Sequence, residues 1–307
     1  SIVTICLNDR DHLERCLKSI DGLDTSGLEL EVIVSDGGSN DDSIEVAEGA
    51  GARVVRSRPG IPIQRNSGTR EATGDVIAHV DCDVELFQGF IDSIVEHFSA
   101  GQDLLLSGIK RLPTDAHWIS RADTLAWMGA AALYDDGHAE SASMAIAGYC
   151  IICSRKVYDR VSFREDMPVD EDTMFVYDVE NLGYPVVVDP RIKYVHHGEP
   201  KDFVEYFKKL AWNHNYSMWF QRLRDGDRAA WRSMNYWWGL LFTAGLLSGA
   251  LPAAGMVATR ALVTAARNRA PAWLPSLAAM YAGNGLACTA ALFGYSKDKA
   301  KRWRKAA

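Results

Sequence analysis

Asp81 and Asp83 are the residues of this sequence with the clearest chemical potential, because they directly follow a mostly apolar run, Asp75–Val80. The run predicts a buried strand, and carboxylates at the end of a buried strand are costly unless they meet a counter-ion. Two carboxylates separated by one residue can both approach a hard divalent cation, which takes its other ligands from water and phosphate oxygens. The spacing therefore indicates a site for Mn²⁺ or Mg²⁺ together with a diphosphate.

Two other polar side chains are predicted near strand ends. Asp36 follows the β-branched run Glu31–Ser35, where its carboxylate can accept hydrogen bonds from a nucleotide base or a ribose. The two glycines after it let a ligand approach the backbone. Arg65 lies near the start of a predicted helix, Ile63–Ala72, and its guanidinium could either neutralise a diphosphate or order the carboxylates.

Strands and helices alternate through the first hundred residues. The predicted strands are Ile2–Leu7, Glu31–Ser35, Arg53–Arg56, Asp75–Val80 and Leu104–Ser107, and the predicted helices are His12–Ile20, Asp41–Glu48, Ile63–Ala72 and Phe90–Phe98. This alternation predicts an α/β fold with a doubly wound, mostly parallel sheet. Such sheets bind ligands beyond the carboxyl ends of their strands, which selects Asn8, Asp36, Asp81 and Asp83 as candidate binding residues. Further along the chain, Trp118–Leu133 is a predicted helix, and Ala147–Ser154, Pro185–Val188 and Ile192–Val195 are predicted strands.

These motifs together resemble the family 2 glycosyltransferases of the GT-A fold. The resemblance extends from Ser1 to about His197 and rests on the opening strand with Asn8, on SDGGSND, and on RNSG followed by ATGDVIAHVDCD. It implies a GT-A domain in which Asp36 contacts the base, Asp81 contacts the nucleotide and Asp83 binds the metal directly. Gly37 replaces the second aspartate of the usual D-D-G sequence.

A second acidic motif, VDED followed by NLGY, resembles the E-D motif of the same family. The resemblance implies that Asp172 is the catalytic base and that Glu171 is a supporting acceptor contact. A carboxylate suits this step, because inverting sugar transfer requires a group that takes the proton of the acceptor hydroxyl. The structural alternative for this segment is an acidic loop or a helix cap.

His196 and His197 stand where some family members place a further metal or diphosphate ligand. Adjacent side chains of an extended segment point in different directions, so we expect at most one of them to reach the site. Gly148 and the basic pair Arg155 and Lys156 resemble the acceptor side of the family site.

Charge is distributed unevenly along the chain. The net charge is −7, but residues 1–200 carry 17 Lys and Arg against 35 Asp and Glu, whereas residues 201–307 carry 16 against 5. This difference suggests that the first part faces solvent and the second an anionic membrane surface. The six scattered cysteines favour a reducing compartment, and Cys150 and Cys153 lie in an apolar strand that argues against zinc.

The last hundred residues predict helices rather than strands. Phe203–Leu223 is amphipathic, and Tyr236–Thr259 and Pro271–Ser296 carry no charge and each reach the ~20 residues needed to span a bilayer. These helices could span, re-enter or lie on a membrane, or they could form a soluble dimerisation bundle. The basic segment 297–305 favours the cytoplasmic side of a membrane. Gln221–Arg224 nearly matches the Q-x-x-R-W motif of processive polysaccharide synthases but lacks its tryptophan, which argues against processive synthesis.

The resulting expectation is a GT-A domain over residues 1–200, an interfacial helix region over 201–235 and hydrophobic helices over 236–307. We expect transfer of a sugar from a nucleoside-diphosphate sugar to a lipid-linked or glycan acceptor at the cytoplasmic face of the cell membrane. The resemblance extends to enzymes of the dolichyl- and polyprenyl-phosphate pathways and of exopolysaccharide synthesis. No nucleic-acid partner is expected. The alternatives are a sugar nucleotidyltransferase and a non-catalytic, membrane-bound assembly subunit.

Overall fold

The chain divides into two units in the computed structural model, which describes residues 1–128, 148–167, 169–210, 234–247 and 251–293. The first unit comprises Ser1–Pro113 and Asp136–Gly198, and the second comprises Thr114–Asp135 and Glu199–Ala307. The strands of the first unit are β1 (Ile2–Cys6), β2 (Val32–Asp36), β3 (Arg53–Arg56), β4 (Val76–Val80), β5 (Val84–Leu86), β6 (Leu105–Arg111), β7 (Cys150–Ser154) and β8 (Val186–His196). Its helices are α1 (Arg10–Asp21), α2 (Ser43–Gly49), α3 (Ile61–Glu71), α4 (Gly89–Phe98), α6 (Arg155–Tyr158) and α7 (Glu171–Asn181); α5 (Trp118–Met128) belongs to the second unit.

The eight strands form one sheet in the order β3-β2-β1-β4-β7-β6-β8-β5. The pairs β3/β2, β2/β1, β1/β4 and β6/β8 are parallel, and the pairs β4/β7, β7/β6 and β8/β5 are antiparallel. Parallel pairing therefore predominates, and the predicted α/β class is confirmed. The carboxyl ends of β2, β1 and β4 lie along one edge, because these strands run in the same direction.

Apolar residues cover both faces of this sheet. Successive residues of a strand point to opposite faces, and neighbours such as Ile33 and Val34, or Ile151 and Ile152, enter two separate core clusters. Continuous β-branched runs are typical of strands that are buried on both sides. Cys150 and Cys153 enter opposite clusters as well, so their spacing cannot chelate one metal ion.

Two features of the sheet differ from the sequence prediction. The predicted strand pair Pro185–Val188 and Ile192–Val195 is one strand, β8, that passes through Asp189, Pro190 and Arg191. The Asp189 carboxylate accepts hydrogen bonds from the backbone N–H and the guanidinium of Arg191, which holds these polar residues in the extended chain. The short strand β5 was not predicted, because its three residues resemble a loop.

The second unit consists of helices in the described part of the chain. They are α5, residues 203–210, Met234–Leu247, Leu251–Arg267 and Leu274–Phe293, the last preceded by the 3₁₀ turn Pro271–Trp273. Its core includes three alanines and a valine that recur every four positions along the helix Leu251–Arg267: Ala253, Val257, Ala261 and Ala265. The Tyr206 hydroxyl adds a polar contact to Asp123 Oδ1 at 2.7 Å.

The uncharged run Tyr236–Thr259 falls in two helices: the first ends at Leu247, and the second begins at Leu251. Within the described residues, no helix has both the length and the apolar composition required to cross a bilayer. Parts of two predicted helices and two sequence motifs lie outside the described residues. They are residues 129–133 and 211–223 of the helices, the Gln221–Arg224 motif and the basic segment 297–305.

Candidate active site

Asp36 and Asn8 shape the loops at the ends of β2 and β1. The buried Asp36 carboxylate accepts hydrogen bonds from the backbone N–H groups of Gly38 at 2.9 Å and Ser39 at 3.1 Å. Asn8 adopts a left-handed backbone with φ 53°, a conformation that Asn tolerates well, and its Oδ1 accepts from the N–H of Asn40 at 2.8 Å. Both predicted binding residues therefore lie at the same sheet edge.

Gln64 joins the two loops from α3. Its Nε2 donates to the carbonyl oxygens of Cys6 at 2.8 Å and Ser35 at 2.9 Å, at the ends of β1 and β2. A Cβ on Gly37 would lie 2.9 Å from the Gln64 side chain, closer than real contacts allow. Gly37 therefore leaves space for the Gln64 side chain, which a larger residue at this position would displace.

Arg65 is the centre of a buried network at the end of β4. Its guanidinium donates from Nη2 to Asp81 Oδ1 at 2.9 Å and to the carbonyl oxygen of Gly148 at 2.8 Å, and from Nη1 to Glu171 Oε1 at 3.1 Å. The Phe163 ring lies 5.1 Å from Cζ, and only 2% of the arginine is exposed. Of the two roles considered from the sequence, this geometry favours ordering of the carboxylates.

One cation in this network faces two acids, the buried Glu171 and the partly buried Asp81. Burial raises the pKa of Glu171 to about 8, and the attraction of Arg65 opposes that rise. Burial also raises the pKa of Asp81, again against the attraction of Arg65. Burial alone would lower the pKa of Arg65, but the charges of Asp81, Glu171 and Asp172 outweigh it and raise that pKa. The guanidinium therefore stays charged beside a carboxyl-rich corner.

Asp172 lies in the first turn of α7. Asp170, with a left-handed φ of 62°, turns the chain into this helix and so places Glu171 and Asp172 against the end of β4. The Oδ2 atom of Asp172 accepts from the N–H of Gly148 at 2.7 Å, and its Oδ1 atom accepts from the N–H of Thr173 at 2.7 Å. The candidate base is partly exposed, whereas Glu171 is buried.

Asp83 and His196 form a second corner of the site. His196 Nε2 lies 3.1 Å from Asp83 Oδ2, and the backbone N–H of His197 donates to the Asp83 carbonyl oxygen at 2.8 Å. The antiparallel register of β5 and β8 creates this approach, since it pairs Val84 with His196. A Cβ on Gly198 would lie 1.9 Å from Asp83 Oδ2, so a larger residue there would displace this carboxylate from His196.

The two histidines have different partners. His196 is buried, and its ring lies 4.0 Å from the Tyr149 ring, measured between centroids. His197 instead places Nε2 2.8 Å from Glu85 Oε2. The structure thus brings His196, and not His197, to Asp83.

A divalent metal would be held mainly by Asp83 and His196. In the described part of the chain, no cluster of three or more His, Cys, Asp or Glu side chains could hold a metal ion by itself. The donor pair of one carboxylate oxygen and one imidazole nitrogen suits Mn²⁺ or Mg²⁺ when phosphate oxygens and water complete the shell. Glycine at position 198 lets the Asp83 carboxylate lie beside the His196 ring, so the two donor atoms face each other. The residues present therefore fit the predicted ion.

This geometry predicts opposite results for the two histidines. His196→Ala removes one of two candidate ligands, so Mn²⁺-dependent binding of nucleoside diphosphate should weaken by at least about 10-fold. His197→Ala, the matched control, should bind within about 2-fold of the wild type, because that ring pairs with Glu85. Calorimetric titration with Mn²⁺ present measures both, and equal losses in the two variants would contradict the assignment.

Residues 1–162 match the family model described as Glycosyl transferase family 2, and this match covers more than half of the chain. The chain belongs to glycosyltransferase family 2. The family resemblance predicted from the sequence motifs is therefore confirmed. An uncharacterized protein, MT1568 of Mycobacterium tuberculosis (strain CDC 1551 / Oshkosh), is 30% identical over 105 residues. That match covers 32% of this chain and 32% of the curated relative.

Solved glycosyltransferases share the fold of this family 2 chain. The mannosyltransferase PcManGT from Pyrobaculum calidifontis, in complex with GDP-Man and Mn²⁺, aligns with a TM-score of 0.60 at 18% identity, over 93% of this chain and 85% of its own. A glucosyl-3-phosphoglycerate synthase from Mycobacterium tuberculosis, in complex with Mn²⁺, UDP and phosphoglyceric acid, aligns with a TM-score of 0.50 at 21% identity, over 71% and 75%. The predicted GT-A fold is confirmed by these neighbours.

Some site residues were not identified from the sequence. Gln64, Tyr149 and Gly198 carry no pattern of their own, although Gly198 directly follows the two histidines. The interpretation of Arg155 and Lys156 was wrong: the Arg155 guanidinium binds the carbonyl oxygens of Ala72 and Gly74, before β4 begins, and Lys156 pairs with Asp103. The basic pair thus lies at the opposite end of β4 from the candidate site.

Proposed function

We propose that this protein is an inverting, metal-dependent glycosyltransferase that uses a nucleoside-diphosphate sugar. The observation that carries the proposal is the convergence of two groups at the carboxyl end of β4. One group is the Asp83 and His196 corner, which suits a metal and a diphosphate, and the other is Asp172, which suits a proton acceptor. Family membership supports the donor class.

In the proposed reaction, Asp172 takes the proton of an acceptor hydroxyl while that oxygen attacks the anomeric carbon of the donor. The new carbon–oxygen bond forms as the bond from the anomeric carbon to the phosphate oxygen breaks, so the configuration inverts and a nucleoside diphosphate leaves. A bound Mn²⁺ or Mg²⁺ supplies stabilisation of the charge on the departing diphosphate. The charge of Arg65 opposes the burial-driven rise in the pKa of Asp81 and so favours its ionised form, and the buried wall around the pair strengthens this attraction.

The donor class can be tested by melting temperature. A ligand that binds the folded state raises the melting temperature in proportion to the logarithm of its concentration over Kd. UDP-, GDP- and dTDP-sugars are added to the full chain with Mn²⁺ or with EDTA. The proposal expects one nucleotide class to stabilise the protein only when the metal is present. If no sugar nucleotide does so, a non-catalytic role is favoured instead.

We further propose that the second unit attaches this enzyme to a membrane that presents the acceptor, a lipid-linked sugar carrier or a glycan. Between Met234 and Phe293 the only charged residues are three arginines, Arg260, Arg267 and Arg269. Several large apolar residues are nevertheless exposed: Leu241 50%, Leu247 85%, Leu262 56% and Val263 62%. An apolar surface with cationic residues and no acid matches an anionic bilayer. The six free cysteines support a cytoplasmic face.

This attachment predicts a change in vesicle binding. The double substitution Leu262→Glu and Val263→Glu places two charges on the exposed apolar face, so cosedimentation with phosphatidylserine vesicles should fall by at least about 10-fold, since each buried charge costs over 1 kcal/mol. Leu28→Glu with Leu30→Glu, exposed apolar residues of the first unit, is the matched control and should bind as the wild type does. Unchanged cosedimentation of the first variant would overturn the membrane proposal.

A further inference from the structure

The backbone of Gly148 lies between two side chains of the candidate site and bonds to both. Its carbonyl oxygen accepts from Arg65 Nη2 at 2.8 Å, and its N–H donates to Asp172 Oδ2 at 2.7 Å. The same Nη2 atom donates to Asp81 Oδ1 at 2.9 Å. A continuous hydrogen-bonded chain therefore connects Asp81, on the donor side, with Asp172, through Arg65 and Gly148.

Only glycine fits at position 148. A Cβ there would lie 2.8 Å from both Cβ and Oδ2 of Asp172, and 3.0 Å from Arg65 Nη1. Contacts this short require the neighbours to move, and both neighbours are already held by hydrogen bonds. The requirement is one of space, because the close approach of two side chains to one backbone position leaves no volume for a methyl group.

Arg65 is suited to hold this arrangement rigidly. Its planar guanidinium presents donors in a fixed fork, and here the fork bonds to two carboxylates and one carbonyl oxygen at once. The Phe163 ring lies against it, and 2% exposure leaves it no rotational freedom toward solvent. A lysine at this position has a single ammonium group and cannot reproduce the fork.

We propose that Arg65 and Gly148 are positioning residues that hold the Asp172 carboxylate in place for proton transfer. This proposal rests on the proposed role of Asp172 as the base. Neither residue needs to touch the substrate, because Arg65 is buried and Gly148 acts through its backbone. A displacement of about 1 Å at a reacting group can cost ~100-fold in rate.

The first test separates turnover from donor binding. Gly148→Ala should lower kcat by about 10- to 100-fold and leave the Kd for nucleoside diphosphate with Mn²⁺ within about 2-fold of the wild type. Gly49→Ala is the matched control, since that position has open space around its Cβ, and it should leave both quantities unchanged. If Gly148→Ala retains wild-type kcat, or loses donor binding and kcat together, the proposal is overturned.

The second test is a double-mutant cycle with the base. If Arg65 and Gly148 act through Asp172, then Arg65→Lys or Gly148→Ala should change the residual rate of Asp172→Asn by less than about 2-fold. If the roles are independent, each substitution should lower the rate of Asp172→Asn by the same factor by which it lowers the wild-type rate. That multiplicative result would refute the coupling.

A third measurement does not depend on activity, and it keeps failure of this inference separate from failure of the proposed function. In protein labelled with ¹⁵N-glycine, the amide signal that Gly148→Ala removes belongs to Gly148. Donation to a carboxylate moves an amide proton downfield, so this signal should move upfield in both Asp172→Asn and Arg65→Lys. A signal that does not respond to Arg65→Lys would show that Arg65 does not act through Gly148, whether or not the protein transfers sugar.

Discussion

Replacing Asp83 by alanine should abolish the Mn²⁺-dependent binding of nucleoside diphosphates to this protein. In the part of the chain that the structure describes, this carboxylate and the His196 imidazole are the two candidate side-chain ligands at this corner, and His196 alone would hold a divalent ion weakly. Loss of a residue that only supports a metal ligand can weaken metal affinity by ~100-fold, so loss of the ligand itself should weaken it at least as much. Calorimetric titration of the purified chain with UDP and GDP, in Mn²⁺ and in EDTA, measures the effect.

The control for this variant is Asp21→Ala, at the exposed end of α1. It removes the same charge from the same unit and should leave metal-dependent binding unchanged. Asp83→Ala should also retain a cooperative thermal transition, because the metal corner lies at a sheet edge and not in either core cluster. Metal-dependent binding of wild-type strength in Asp83→Ala would show that the metal is held elsewhere.

Replacing Asp172 by asparagine should stop sugar transfer while sparing the donor. Asparagine has the same shape and keeps an oxygen that can accept from Gly148, but it cannot take a proton. General-base catalysis contributes about 10²- to 10⁴-fold, so kcat should fall by ~10³. Because the metal corner is unchanged, the Kd for nucleoside diphosphate with Mn²⁺ should stay within about 2-fold of the wild type.

Asp159→Asn provides the matched change at an exposed position after α6, and it should transfer at the wild-type rate. Released nucleoside diphosphate, quantified by chromatography, measures both variants. Near-normal transfer by Asp172→Asn would show that another group is the base. In that case the buried Glu171 becomes the next residue to replace.

The sheet edge could be predicted because strand periodicity and strand-end residues are local properties of the sequence. Alternation of β-branched runs with helices located β1 to β4 within a residue or two, and the ends of parallel strands must share an edge. Asp36 is the last residue of β2 and Asp81 directly follows β4, so their location needed no knowledge of distant contacts. The family resemblance then supplied roles that periodicity cannot supply.

The choice between His196 and His197 could not be predicted, because it depends on strand register. Only the pairing of Val84 with His196 decides which ring meets Asp83 and which meets Glu85. The glycine at 198 and the fork of Arg65 are long-range features of the same kind, since they involve residues 16 to 115 positions apart in sequence. A single sequence carries no direct signal of such contacts.

The helical region was predicted only in outline. The absence of charge correctly indicated helices with apolar surfaces, but hydrophobicity alone does not show where a long apolar run breaks. The predicted segment Tyr236–Thr259 falls in two helices, Met234–Leu247 and Leu251–Arg267, and Gly245 of the first lies close to Ala253 of the second. The three alanines and the valine that recur along the second of these helices allow its close packing, and this detail is visible only once the partner helix is known.

The most direct test of the central claim is a transfer assay on the full chain with extracted membrane lipids as the acceptor source. UDP-, GDP- and dTDP-sugars are supplied with Mn²⁺, and released nucleotides and labelled lipid are quantified together. We predict that one donor class yields nucleoside diphosphate and labelled lipid in equal amounts, and that EDTA or Asp83→Ala abolishes both. Release of pyrophosphate from a nucleoside triphosphate and a sugar phosphate, with no transfer from any sugar nucleotide, would contradict the account.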